Sequence, residues 1–98
     1  MKPIAVANWK MNPGALADAQ WLFSGLAKRI SGLKGVEVVV CPPFVWLHDL
    51  AVRNARLRRG FIALGAQDVF WGKEGAFTGE ISPRMLKDLG CKYVIVGH

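Results

Sequence analysis

Between residues 36 and 41 the chain reads Val-Glu-Val-Val-Val-Cys, a β-branched and nearly uninterrupted apolar run. Such a run does not alternate between wet and dry faces, so it reads as a strand of a parallel sheet covered on both sides. Three other short apolar runs share its character: Ile4-Ala5-Val6-Ala7, Phe61-Ile62-Ala63-Leu64-Gly65 and Tyr93-Val94-Ile95-Val96. Parallel strands need long crossovers between them, usually helices. The intervening segments supply that periodicity. Leu16, Ala19, Leu22, Phe23, Leu26 and Ile30 recur at three- and four-residue steps. Asn12 is placed to cap that helix, with Pro13 in its first turn and Gly32 and Gly35 closing it. Phe44, Leu47, Leu50 and Ala51 form a second helical face behind Pro42-Pro43. A loop rich in glycine runs from about Gln67 to Ile81. Ser82 as cap, Pro83 in the first turn and Gly90 at the stop bound a third helix, with Met85, Leu86 and Leu89 facing inward.

The expected order is therefore β-α-β-α-β-α-β, an α/β fold in a single domain over residues 1–98. Two architectures use such a parallel sheet. A dinucleotide-binding open sheet carries G-x-G-x-x-G after its first strand, whereas this chain has Asn8-Trp9-Lys10-Met11-Asn12 there. A (β/α)8 barrel has eight strands in ~250 residues; four strands and three helices would be the first part of one.

Composition narrows the function classes. Hydrophobic residues make up 52% of the 98, with a mean hydropathy of +0.24, which excludes a disordered chain. No apolar run reaches the ~20 residues of a membrane span. No signal or transit peptide is read at the N-terminus, and the expectation is a cytoplasmic protein without a membrane partner. Thirteen Lys+Arg against seven Asp+Glu give a net charge of +6, which favours anionic partners. Part of that excess, Arg53, Arg56, Arg58 and Arg59, sits at the end of the second helix, where cations complement the helix dipole. No aromatic residues interleave with it as in a nucleic-acid patch, and no nucleic-acid partner is expected. Cys41 closes one strand and Cys91 opens another, at opposite ends of a parallel sheet, so both are expected to be free thiols. His48 has no ligand at metal spacing, and no metal site is expected.

Polar residues gather just after the strands, where parallel α/β folds place their sites. Asn8 and Lys10 follow the first strand, Gln67 and Asp68 the third, and His98 the fourth. A lysine offers a point charge for phosphate. A histidine offers a hydrogen bond to a developing oxyanion. Together they suit an anionic substrate with a carbonyl to polarise.

Four segments, in order, carry a resemblance. Asn8-Trp9-Lys10-Met11-Asn12, Gly65-Ala66-Gln67-Asp68, Gly75-Ala76-Phe77-Thr78-Gly79-Glu80-Ile81-Ser82 and Tyr93-Val94-Ile95-Val96-Gly97-His98 resemble the triosephosphate isomerase family along the whole chain. The resemblance implies the N-terminal part of a (β/α)8 TIM barrel. It implies an aldose-ketose isomerase of glycolysis and gluconeogenesis, working without a cofactor on a small phosphorylated triose. His98 would be the electrophile, Lys10 would bind substrate and add charge at the oxyanion, and Asn8 would position Lys10 and the substrate oxygen. Thr78 and Glu80 would lie on a loop that docks into the second subunit of a homodimer. The family's glutamate base has no counterpart among Glu37, Glu74 and Glu80, so the 98 residues alone are expected to be inactive. A non-catalytic half-barrel interaction module, or one piece of a split enzyme, is the alternative.

Overall fold

A computed structural model describes residues 1–57 and 62–98. It contains seven elements: β1 (Ile4–Asn8), α1 (Leu16–Ile30), β2 (Glu37–Cys41), α2 (Phe44–Ala55), β3 (Ala63–Ala66), α3 (Pro83–Leu89) and β4 (Tyr93–Val94). The expectations placed on Arg58, Arg59 and Phe61 lie outside the described residues. All three ladders are parallel and the strand order is β1-β2-β3-β4. An order that never reverses, built from crossovers of one hand, puts every helix on the same side of the sheet. A doubly wound sheet reverses its order and takes helices on both faces. The sequential order therefore selects the barrel type of architecture.

The register assigns the faces. Ile4 pairs with Glu37, Val6 with Val39 and Asn8 with Cys41; Val39 and Val40 pair with Ala63 and Leu64; Gly65 and Ala66 pair with Tyr93 and Val94. Paired residues share a face, and successive residues alternate. Val40, Leu64 and Ala66 thus face the helices, where they join Phe23, Ala27, Leu47, Leu50, Ile62 and Leu86 in one buried core. Ile4, Val6, Val39, Cys41, Gly65 and Tyr93 share the opposite face. That face has no helical cover, which corrects the expectation of a sheet covered on both sides. Ile4 and Val6 on the edge strand β1 remain 49% and 56% exposed. At the centre, Val39 and Cys41 are buried even so. The missing side chain of Gly65 leaves room there: an added Cβ would lie 2.7 Å from Cys41 Sγ and 3.3 Å from Val39 Cγ1.

Local chemistry accounts for the element boundaries. Asn12 does not cap α1. Its amide donates back to the Trp9 carbonyl (3.3 Å), the indole of Trp46 donates to the Pro13 carbonyl (2.9 Å), and Ala15 is the N-cap, with no side-chain hydrogen bond. Residues 12–15 are a tied-down strap rather than a first helical turn. The helix packs through the i, i+4, i+8 line of Ala19, Phe23 and Ala27, while Leu16 and Leu22 point outward. The start of β3 is set by Asn54 on α2. Its side-chain amide donates to the Ile62 carbonyl and accepts from the Ile62 N–H (3.3 Å), so Ile62 is committed to the helix and the ladder begins at Ala63. For α3 the cap signals hold. Ser82 Oγ accepts from Met85 N (3.2 Å) and Gly90 adopts the left-handed φ of 95° that favours glycine. Leu86 is buried, but Met85 is 46% exposed rather than inward. The β4 ladder is shorter than its apolar run, although Ile95 N still donates to Ala66 O (2.9 Å). Both cysteines are free, and burial pushes both thiols up, as befits inert packing groups.

Candidate active site

Parallel pairing brings the C-terminal ends of all four strands to one rim. At the end of β1, Asn8 Oδ1 accepts a hydrogen bond from Lys10 N (3.0 Å), a short side-chain turn that bends the chain over the sheet edge. Lys10 has φ of 58°, the only positive φ of a non-glycine residue among the described residues. A lysine held there costs of order 1–3 kcal/mol unless its surroundings fix it. Here they do. Trp9 N donates to Cys41 O (3.1 Å), carrying the β1–β2 pairing past the strand end. From the end of β3, Gln67 Nε2 donates to Lys10 O (2.7 Å) and to Cys41 O (2.9 Å). One amide thus ties three strand ends together. Lys10 itself is exposed, and among the described residues its ammonium has no carboxylate partner: the ion pairs are Arg53–Asp49 and Lys92–Glu37. An unpaired cation held by a rigid backbone at a strand-end rim is suited to receive an anion.

His98 follows β4 on the same rim and is exposed. It is not hydrogen-bonded to Asn8 or Lys10. Its strand is three ladder steps from β1, and at ~4.8 Å per step that is roughly 14 Å along the sheet. Lys10 is hydrogen-bonded to both Asn8 and Gln67, whereas among the described residues no hydrogen bond joins His98 to any of the three. Asp68 lies beside Gln67, exposed.

Thr78 and Glu80 lie away from these contacts, on the loop between β3 and α3. That loop is built rather than loose. Phe70 N donates to Ile81 O (2.8 Å) across its base, Glu80 N donates to Phe77 O (3.0 Å), and the Phe70 and Phe77 rings pack at a 43° tilt with centroids 4.7 Å apart. Both Thr78 and Glu80 are exposed at its tip. Among the described residues no three His, Cys, Asp or Glu side chains form a metal-binding group, and no helix is long and apolar enough to cross a membrane. A groove of about 850 Å³ between α1 and α2, lined in part by Lys28, Asp49, Arg53 and Arg56, sits on the helix layer away from the rim.

The bridging role of Gln67 is what sequence reasoning misses. Its place directly after a strand marks it as a rim residue, but its partners stand 57 and 26 positions away.

Comparison with known proteins adds a lineage to this geometry. The sequence profile of the triosephosphate isomerase family matches residues 3–98. Triosephosphate isomerases of Dictyoglomus turgidum and Citrifermentans bemidjiense are 47% and 48% identical to it over 97 residues, 99% of this chain. That of Thermoanaerobacter sp. is 47% identical over the same length. The chain spans 37% of the length of each of these relatives. With the unreversed strand order and the Asn8–Lys10 turn at the strand ends, the matches establish that the chain belongs to the triosephosphate isomerase family.

Proposed function

We propose that the chain supplies the N-terminal part of a triosephosphate isomerase, which interconverts dihydroxyacetone phosphate and D-glyceraldehyde 3-phosphate through an enediolate. The observation that carries this reading is the ammonium of Lys10, without a carboxylate partner among the described residues and set on a pinned backbone at the strand-end rim. A base takes the proton from the hydroxyl-bearing carbon beside the carbonyl, and the electron pair moves toward the carbonyl oxygen to give the enediolate. The hydroxyl proton then passes from the one oxygen to the other and the base returns its proton to the former carbonyl carbon, so carbonyl and hydroxyl exchange places. Lys10 binds the anionic substrate and stabilises the charge that develops on the carbonyl oxygen. His98 donates a hydrogen bond to the same oxygen from the opposite side of the rim. Asn8 holds the turn that presents Lys10. The glutamate base and the phosphate-binding turns belong to the remainder of the barrel, so residues 1–98 alone do not catalyse. The loop carrying Thr78 and Glu80 docks into a second subunit of a cytoplasmic homodimer.

The test is isomerase activity of the full-length protein in a coupled assay. Wild type turns over the triose phosphate, and Lys10→Met and His98→Gln each lower kcat/KM by about 10²-fold or more, the usual effect of removing an oxyanion-stabilising group. Full activity in Lys10→Met would overturn the assignment of Lys10. The uncovered face carrying Ile4 and Val6 supports a second reading, a non-catalytic half-barrel that binds a complementary chain. A full-length protein inert toward the triose phosphate would favour it.

A further inference from the structure

The Lys10 peptide is gripped from both sides, and the two grips differ in kind. On the N-terminal side the acceptor is Asn8, two residues away and part of the same turn. On the C-terminal side the donor is Gln67, which belongs to a different strand. The first contact orients the amide before the Lys10 α-carbon and the second the carbonyl after it, so together they fix both backbone angles. Gln67 has two amide hydrogens, and each meets a backbone carbonyl, of Lys10 and of Cys41. The Cys41 carbonyl also accepts from Trp9 N (3.1 Å), so the residue before Lys10 is locked to the same acceptor. Without Gln67, the only hydrogen bond to the Lys10 backbone among the described residues is the local one to Asn8. A lysine has no intrinsic preference for φ near 58° and would relax toward ordinary backbone, re-aiming its side chain.

We infer that Gln67 is the positioning residue for Lys10: its side-chain amide holds the left-handed backbone from which the ammonium is aimed at the anionic substrate. This rests on the isomerase reading for its kinetic consequence, but not for its structural one. Gln67 acts through Lys10 and touches no reacting atom. Gln67→Met keeps the length of the side chain and removes both donors. Gln67→Glu keeps the shape but presents a carboxylate to two carbonyl oxygens until it takes up a proton.

The experiment is a double-mutant cycle in the full-length protein, run well below the melting temperature of every variant. Gln67→Met is expected to lower kcat/KM by about 10²-fold, the cost of a misplacement near 1 Å. In a Lys10→Met background the same substitution is expected to change kcat/KM by less than about twofold, because the group it positions is gone. Gln67→Glu is expected to regain activity toward acid pH, where the carboxyl can donate, while wild type does not. Losses that add in the double variant would overturn the inference, as would a crystal structure of Gln67→Met with the Lys10 φ and ammonium unmoved. A wild-type protein inactive on the triose phosphate would overturn the isomerase reading instead, and the Lys10 φ in the variant structure would still decide the positioning role.

Discussion

Gly65 is the position where the sheet tolerates no side chain. A methyl group there would sit 2.7 Å from Cys41 Sγ and 3.3 Å from the Tyr93 carbonyl, a backbone atom that cannot swing away. Gly65→Ala is therefore expected to destabilise the protein by about 1–3 kcal/mol, the usual range for overpacking. Chemical denaturation measures it. The loss should shrink when Cys41→Ala removes the sulfur, and equal losses in both backgrounds would show that the sulfur is not the obstacle. This pair also shows what a sequence conveys at this scale. Asn8 and Lys10 are legible as rim residues because they directly follow an apolar strand run, which is a local signal; the side-chain turn between them is seen only in the structure. The dependence of Cys41 on Gly65, and of Lys10 on Gln67, is not legible, because each partner arrives from another strand. Asn12 fails for a related reason: a residue with every local qualification to cap α1 is drawn back to Trp9 by its own loop.

At the scale of elements, two side chains do what no ladder does. Asn54 fastens α2 to the chain entering β3 by pairing both the donor and the acceptor of buried Ile62. Asn54→Ala leaves those two groups unpaired, and a loss of about 1–3 kcal/mol is expected in the same denaturation experiment. Asn54→Asp restores the acceptor only and should recover part of it. Glu37 fastens β2 to β4 across the intervening strand, accepting from Lys92 Nζ (2.7 Å) and from the Tyr93 hydroxyl. Those contacts, Lys92 first and Tyr93 next, hold the Glu37 carboxyl below the usual carboxylate range. Its stabilisation is complete above the unfolded value of about 4.3 and is lost as pH falls through the lower folded value. The hydrogen bond with Glu37 raises both Tyr93 and Lys92, so their stabilisation is complete below their unfolded values and is lost as pH rises through the folded ones. Glu37→Gln is expected to flatten both limbs of a plot of melting temperature against pH; an unchanged acid limb would exclude the contact as its source. Ser82→Ala removes the one side-chain cap among the described helices and is expected to cost about 1 kcal/mol. The caps of α3 were legible in the sequence because serine, proline and glycine each act within one turn. The late start of β3 was not, since an apolar strand pattern continues through Ile62 and only the fold brings Asn54 to it.

For the whole molecule, the continuous apolar runs announce parallel strands, and the helical spacing between them announces crossovers. They do not announce sidedness. Both faces of such a strand are apolar whether or not anything covers them, so the exposure of Ile4 and Val6 is a property of the assembled sheet. β1 and β4 each have a single neighbour, and an unpaired parallel edge beside an uncovered apolar face invites pairing. A polypeptide of residues 1–98 produced alone is expected to sediment well above 10.8 kDa, with a distribution that shifts with concentration. The full-length barrel should show no such concentration-driven growth beyond its closed oligomer. A sharp 10.8 kDa monomer across concentrations would mean that the face is satisfied within these residues.

The unreversed strand order carries a temporal meaning as well. Each strand pairs with the one synthesised immediately before it, so a nascent chain never waits for a distant segment in order to place its newest strand. At ribosomal rates of about 5–20 residues per second, β1 and β2 can zip together seconds before β4 leaves the ribosome. The growing molecule then advances as a template that copies its own edge, with each finished unit serving as the landing site for the next.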